Sequence, residues 1–236
     1  MILTTDFHTH ILPGIDDGSQ SPKDSIRMIE KECADGVNTI LLTPHFYPQH
    51  MYPTSFLECR QQAMERLSCT LPTDMVTPQF ILGAEVLFCP GMSQWEELDM
   101  LTLGKSQYIL IEMPFNKWSD SAFTELKQIR NERGLTPILA HIERYLPSFG
   151  TKRFINRLSA LPVLLQSNCE FLTDKHTQRI ALTLIKEKKI HLIGSDCHSS
   201  TWRAPIIAQA REVLMNNLDK QILAFLKNTE NSVIQK

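Results

Sequence analysis

The sequence predicts an α/β fold, a distorted seven-stranded TIM-like (β/α)7 barrel formed by residues 1–236 as a single domain. Two observations carry this. Short apolar runs alternate with helical segments along the whole chain, and six of the runs end in a residue that can ligate a metal. Near-continuous apolar runs suit strands buried on both faces, as in parallel sheets. Strands alternating with helices imply right-handed crossovers, which place every strand's C-terminal end on one side. At roughly 31 residues per βα unit, 236 residues fit seven units. An open doubly wound sheet gathers ligands from only a few strands at its switch point, so ligands on six of seven strands favour a barrel.

The first run begins at residue 2 or 3 and closes on Thr5-Asp6-Phe7-His8-Thr9-His10. Residues two apart on a strand share a face, so His8 and His10 form a preorganised pair of nitrogen ligands. Thr39-Ile40-Leu41-Leu42-Thr43-Pro44 ends at His45, and Phe80-Ile81-Leu82-Gly83-Ala84 ends at Glu85. Tyr108-Ile109-Leu110-Ile111 ends at Glu112, and Pro137-Ile138-Leu139-Ala140 at His141. His191-Leu192-Ile193-Gly194-Ser195 ends at Asp196, with His198 two residues on. Pro162-Val163-Leu164-Leu165-Gln166 is a weaker seventh strand.

Four helices are expected between these runs. Ser21 caps the first, with Pro22 at its first position, Asp24 in its first turn and Gly36 at its end. Ile26, Ile29 and Cys33 supply its apolar stripe. Phe56 to Leu67 and Phe123 to Arg133 follow, the latter closed by Gly134 with Pro137 beyond. Asp174 to Lys188 is the fourth, with Ile180, Leu184 and Ile185 facing inward.

Composition narrows the function classes. A net charge of -2 with dispersed signs provides no basic stripe for nucleic acid. No apolar stretch is long enough for membrane insertion, and a strand starting so early leaves no room for a signal peptide. The six cysteines (33, 59, 69, 89, 169 and 197) lack CxxC spacing and read as reduced thiols, so the expected location is cytoplasmic.

The motif order resembles the PHP (polymerase and histidinol phosphatase) superfamily, and more narrowly the PHP-type tyrosine-protein phosphatases of bacterial capsule and exopolysaccharide loci. The matching residues are His8-Thr9-His10-Ile11-Leu12-Pro13-Gly14-Ile15-Asp16-Asp17-Gly18, Thr43-Pro44-His45, Gly83-Ala84-Glu85, Ile111-Glu112-Met113-Pro114, Ala140-His141-Ile142-Glu143-Arg144 and Ser195-Asp196-Cys197-His198. They reach from near the start to about residue 205, and the stretch from His8 to Gly18 is the most specific. The resemblance implies a PHP-type barrel holding three divalent metal ions, most commonly manganese, with iron or zinc as alternatives. It places His8, His10, Glu85 and Asp196 on one ion. Glu85 bridges to a second, held also by Glu112 and His141, and Asp17, His45 and His198 take the third. Spacing alone leaves Asp16 and Asp17 open, since Asp16-Asp17-Gly18 is also a good turn. Mixed imidazole and carboxylate ligands without thiolate independently suit Mn, Fe or Zn.

The activity implied is hydrolysis of protein phosphotyrosine by metal-activated hydroxide, on an autophosphorylated bacterial tyrosine kinase that controls capsule or exopolysaccharide synthesis. Clustered metals lower the pKa of a water and neutralise charge on the phosphoryl oxygens. Arg144 and Arg203 lie just beyond expected ligands and are assigned the catalytic role of gripping the phosphate in a bidentate fork. Alternatives are histidinol-phosphate phosphatase, a nuclease-like PHP phosphoesterase, and an inactive metal-binding scaffold docking on a kinase. A thiol mechanism is a further rival, because Cys197 and Arg203 have C-x5-R spacing. The intervening His198-Ser199-Ser200-Thr201-Trp202 contains no glycine, however, and the thiol leaves the His and carboxylate runs unexplained. Cys197 also stands where the family more usually has Ala, and the loop from Ser199 to Arg203 shapes the rim. Tyr47, His50 and Tyr52 read as solvated loop residues, and His176 and His191 fall away from the mouth.

Overall fold

The computed structural model of the protein describes residues 2–234. In chain order the elements are β1 (Thr5–Thr9), α1 (Pro22–Ala34), β2 (Thr39–Leu42), β3 (His45–Phe46), α2 (Pro53–Ser68), β4 (Gln79–Leu82), β5 (Glu85–Leu87) and β6 (Tyr108–Glu112). There follow α3 (Asp120–Arg133), β7 (Thr136–Leu139), α4 (Leu146–Phe149), α5 (Thr151–Leu158), β8 (Leu164–Asn168), α6 (Cys169–Thr173), α7 (Gln178–Lys186), β9 (Leu192–Gly194), α8 (Ile207–Asn217) and α9 (Lys220–Ile234).

All strand pairs are parallel. They form one ladder in the order β1-β2-β4 and a longer one in the order β3-β5-β6-β7-β8-β9. Two expected strands are each split, His45 beginning β3 and Glu85 beginning β5. Pro44, which has no N–H to donate, sits in the first break, and Gly83 in the second. A Cβ on Gly83 would come within 2.6 Å of the Leu103 side chain, which would have to shift to admit it. Backbone bonds carry the two lines past the breaks side by side: Gly83 N donates to Leu42 O at 2.8 Å and Glu85 N to Pro44 O at 3.0 Å. The sheet curls until β1 meets the segment after β9. There Asp196 N donates to His8 O at 2.7 Å, and His10 N donates to Cys197 O at 3.0 Å.

The curl leaves two apolar regions. The larger lies between the sheet and the helices, with Ile40, Leu42, Ile109, Ile111, Leu139 and Ile193 among its strand residues. The smaller is lined by Phe7, Leu41, Leu110, Ile138, Ala140 and Leu192, with Val233 of α9 joining it. Alternation along β6 therefore directs Leu110 and Glu112 inward and Ile109 and Ile111 outward. α9 also meets the chain just before β1, where Leu3 N donates to Glu230 Oε1 at 3.1 Å.

Helix starts agree best where a cap was visible. Ser21 caps α1 by accepting from Asp24 N as expected, whereas α3 begins at Asp120, three residues before the expected Phe123, on a Ser119 cap that was not read; Gly134 closes it in the left-handed region. The buried side of α1 differs from the expected stripe. It is Ser25, Met28, Ile29 and Glu32, while Ile26 and Cys33 are half-buried, because two polar side chains have partners inside. Ser25, for example, donates to Ile11 O at 2.6 Å. The expected helix from Asp174 to Lys188 is shortened to α7, and Ile180 is exposed rather than inward-facing. It lies 100° round the helix from Ala181, which is the true inner neighbour of Leu184 and Ile185. Helices α5, α8 and α9 have no counterpart in the sequence reading.

Candidate metal centre

Every expected ligand except Asp17, which lies in the loop between β1 and α1, sits at or just beyond a C-terminal strand end, or at the break within a strand pair. The histidine pair depends on a local irregularity. The pairing of β1 with β2 slips between Asp6 and Thr9, so Phe7 joins the inner apolar region and His8 still turns inward. Bulges commonly re-aim side chains beside active sites in this way. His8 Nε2 and His10 Nε2 then face each other at 3.1 Å.

Glu85 is the hub. Its Oε2 lies 3.1 Å from His8 Nε2, 3.4 Å from His10 Nε2 and 2.9 Å from His45 Nδ1. Its Oε1 is 2.8 Å from His141 Nε2, which is also 3.3 Å from Glu112 Oε1. Asp196 Oδ1 approaches His10 Nε2 at 3.3 Å. On the open side, Asp17 Oδ1 lies 3.5 Å from His45 Nε2 and 3.4 Å from His198 Nε2. Asp16, the other candidate in that turn, is turned away: its Oδ2 binds His10 Nδ1 at 2.7 Å and accepts from His45 N at 3.0 Å.

The residues present fit divalent cations. Of four groups whose ligand atoms lie within 4.8 Å of one another among the described residues, three belong to this cluster: His10, Asp17, His45 and His198; His8, His10 and Glu85; and His45, Glu85 and Glu112. Glu85 Oε2, His45 Nδ1 and His198 Nε2 are buried and make no hydrogen bond. Buried polar atoms are normally paired, so atoms left bare in a shared volume suit an ion.

The outer ring nitrogens are held elsewhere. His8 Nδ1 meets Gln166 Oε1 at 3.3 Å, and His141 Nδ1 meets the Tyr145 hydroxyl at 3.4 Å. His198 Nδ1 lies 2.9 Å from the Asp196 carbonyl. With His10 Nδ1 on Asp16, four imidazoles are thus engaged at Nδ1 with Nε2 directed into the cluster, the arrangement by which metal-binding histidines are oriented. Gln166 also accepts from His141 N at 2.8 Å and donates to Asn168 Oδ1, and Asn168 donates to Asp196 Oδ2 at 2.8 Å. Sequence reading missed Gln166, Asn168 and Tyr145. The signal for the first two was present, since they sit two apart at the end of β8 as His8 and His10 do at the end of β1.

The electrostatics follow from this packing. Burial opposes the charge on Glu85, but His8, His10, His141 and His45 outweigh it and hold the carboxyl well below its usual range. Asp196 behaves the same way through His8 and His10. For His141 burial is outweighed by Glu112 and Glu85, which lift the imidazole to about 9. His198 is instead lowered to about 4 by burial and by His10.

Arg144 and Arg203 converge on one atom. Their Nη2 atoms lie 2.7 Å and 2.6 Å from Asp196 Oδ2, so that carboxylate presents Oδ1 to the histidines and Oδ2 to the guanidiniums. Among the described residues, His141, Asp196 and Arg203 are three of five non-glycines with positive φ, at 35°, 52° and 50°. Strained backbone of this kind concentrates at functional sites. Cys197 is fully buried, and burial and the Glu32 and Asp6 carboxyls push its thiol well above the usual range. No thiolate nucleophile is available there.

The family model for capsular polysaccharide synthesis, CpsB/CapC, matches residues 4–234. Tyrosine-protein phosphatase CpsB of Streptococcus pneumoniae is 27% identical over 224 residues, covering 89% of this chain and 88% of that protein. Tyrosine-protein phosphatase YwqE of Bacillus subtilis is 26% identical over 234 residues, covering 96% and 89%. A crystal structure from the pair YwqE of B. subtilis and CpsB of S. pneumoniae, described as unique metal-dependent tyrosine phosphatases, superposes with a TM-score of 0.83 at 25% identity, covering 97% of this chain and 94% of that one.

Proposed function

Because the chain belongs to the capsular polysaccharide synthesis CpsB/CapC family, we propose that it is a metal-dependent protein-tyrosine phosphatase, a phosphoric monoester hydrolase. The observation that carries this is the single inward-facing cluster built around Glu85, in which imidazole and carboxylate donors from separate strand ends share one volume.

In this reading His8, His10, Glu85 and Asp196 hold one ion, Glu85, Glu112 and His141 a second, and Asp17, His45 and His198 a third. Manganese is the expected metal, with iron or zinc acceptable to the same donors. Such ions, when bound, make a water nucleophilic at neutral pH and offset phosphoryl charge. The chain's own residues do the rest. Gln166, Asp16 and Tyr145 fix the imidazole rings, and Asn168 steadies Asp196. Arg144 and Arg203 reach the rim beside Asp196 and grip the phosphate, and with water as the nucleophile no covalent phosphoenzyme is required.

The curled sheet is taken as a distorted seven-stranded barrel. Support comes from the continuity of β2 with β3 and of β4 with β5, and from the bridge between Thr9 and Cys197. A single domain is supported by one apolar cluster that runs from Ile2 to Leu226. The substrate proposed is a phosphotyrosine protein, an autophosphorylated bacterial tyrosine kinase of capsule synthesis. No helix among the described residues is long and apolar enough to cross a membrane. All six cysteines are free, in keeping with the proposed cytoplasmic location.

Hydrolysis of p-nitrophenyl phosphate measured before and after chelation tests the reading. Activity stops with EDTA, returns with Mn, and largely survives Cys197→Ser. A dead Cys197→Ser with EDTA-resistant wild type would establish the thiol mechanism instead.

A further inference from the structure

Two large aromatic side chains stand in solvent at the rim, Phe115 at 57% exposure and Trp202 at 70%. Each flanks one of the arginines that meet at Asp196. The Arg144 Cζ lies 6.0 Å from the Phe115 ring centroid, and the Arg203 Cζ lies 5.8 Å from the Trp202 ring centroid. Their positions are fixed from behind. Phe115 lies nearly parallel to the His141 and Tyr145 rings, at interplanar angles of 21° and 27°. Trp202 is held in a turn by Ser199, whose hydroxyl accepts from Trp202 N at 2.8 Å and donates to Trp202 O. The turn closes with His198 N donating to Arg203 O at 3.0 Å. Each ring thus offers exposed apolar surface directly beside one of the two guanidiniums.

From this juxtaposition we propose that Phe115 and Trp202 form an aryl clamp that selects phosphate esters of aromatic alcohols over those of aliphatic ones. The inference rests on the phosphatase reading above and deepens it by naming specificity-determining residues. A phosphate gripped by Arg144 and Arg203 above the Glu85 cluster has its ester oxygen directed outward, away from the buried donors. The first group beyond that oxygen leaves from beside the two guanidiniums, each of which has one of these rings next to it. A phenyl ring there gains offset or edge-to-face contact and covers apolar surface on both sides, whereas the short methylene of a phosphoserine does not reach them. Tyr47 adds a third ring on the far side, stacked on His45 at 5.1 Å and 21°. It is half-buried and lines the cavity beside Asp17 and His45.

The test compares binding of phenylphosphonate and methylphosphonate to Mn-supplemented protein by calorimetry, in wild type, Phe115→Ala, Trp202→Ala, the double variant and Phe115→Tyr. Wild type is expected to favour phenylphosphonate by about fivefold or more, the scale of a pair of aromatic contacts. Each Ala variant loses part of that preference, the double variant loses it, and Phe115→Tyr keeps it. In parallel, the kcat/KM ratio for a phosphotyrosine peptide over its phosphoserine counterpart falls about fivefold in the double variant, chiefly through KM. An unchanged phenyl preference in the double variant, or none in wild type, overturns the clamp. Absence of chelator-sensitive hydrolysis in wild type overturns the phosphatase reading separately, and the phosphonate comparison then still decides the clamp.

Discussion

Strand β1 separates two buried acidic groups with opposite electrostatics. On its inner side, Glu85, Glu112 and Asp196 meet His8, His10 and His141. On its outer side, Asp6 meets Glu32 of α1 beside Cys197, and among the described residues no imidazole enters that group. The irregularity at Asp6–Thr9 lets residues two apart, Asp6 and His8, serve different sides. Inside, cationic partners overcome burial and keep Glu85 and Asp196 ionised. Outside, burial pushes Asp6 up, and burial together with the Asp6 carboxyl pushes Glu32 well above its ordinary value. One side therefore keeps its carboxylates charged among cations, whereas on the other the charged form of both carboxyls is disfavoured. Residue type does not separate them; the neighbours do.

Removing the hub breaks the inner side most severely. Glu85→Ala leaves His8, His10, His45 and His141 without the carboxylate that faces all four. Bound metal per chain, measured by elemental analysis, is expected to fall together with activity, by more than the roughly 10–100-fold typical of losing an outer supporting group. Full metal content in Glu85→Ala would show that this carboxylate is not a ligand.

A smaller effect separates charge at the rim from charge in the cluster. Arg144→Ala and Arg203→Ala should keep their metal, since a guanidinium has no lone pair to donate. Each should lower kcat/KM for a phosphotyrosine peptide about tenfold or more, the scale of a charge-assisted hydrogen bond worth about 1.5–3 kcal/mol. Arg→Lys recovers part of the loss, because it keeps the charge without the planar fork. Both side chains touch Asp196 Oδ2, so the double variant should depart from additivity. Wild-type kcat/KM in both single variants would remove the arginines from the phosphate site.

The comparison also explains what could be read in the sequence. The inner donors were legible because each terminates an apolar run, and alternation along a strand makes that termination visible. Asp6 was not, although it is as buried as His8. A single acid within a run has no periodic signature, and its role depends on Glu32, 26 positions away on α1. The helices divided on the same ground. The Ser21 cap with Pro22 behind it is local and was read, whereas α8 has no side-chain cap, and the cap of α9, Asp219 accepting from Gln221 N and Ile222 N, went unread. They are held by long-range bonds, such as Arg211 to the Ile2 and Leu3 carbonyls. Spacing could not separate Asp16 from Asp17 either, because the difference between them lies in which carboxylate His10 Nδ1 captures.

The smallest expected effect is on stability, and its sign tests the outer group directly. Glu32 has a folded pKa raised above its unfolded value, first by burial and then by Asp6. Its stabilising contribution is therefore fully present below the unfolded value, near pH 4.5, and is lost as pH rises through the folded value. Glu32→Gln keeps the shape and hydrogen-bonding capacity of the protonated acid but cannot ionise. Between pH 5 and 9 the melting temperature of Glu32→Gln should accordingly gain on wild type, by roughly 2–4 °C for each kcal/mol of relief in a chain of this size. Glu85→Gln, measured with chelator present, should trend the other way. The Glu85 pKa is lowered, so its contribution is present above the unfolded value and lost as pH falls, and the variant's deficit grows toward high pH. A melting difference for Glu32→Gln that stays flat or shrinks as pH rises would mean that the outer pair is ionised after all, and the contrast across β1 would disappear.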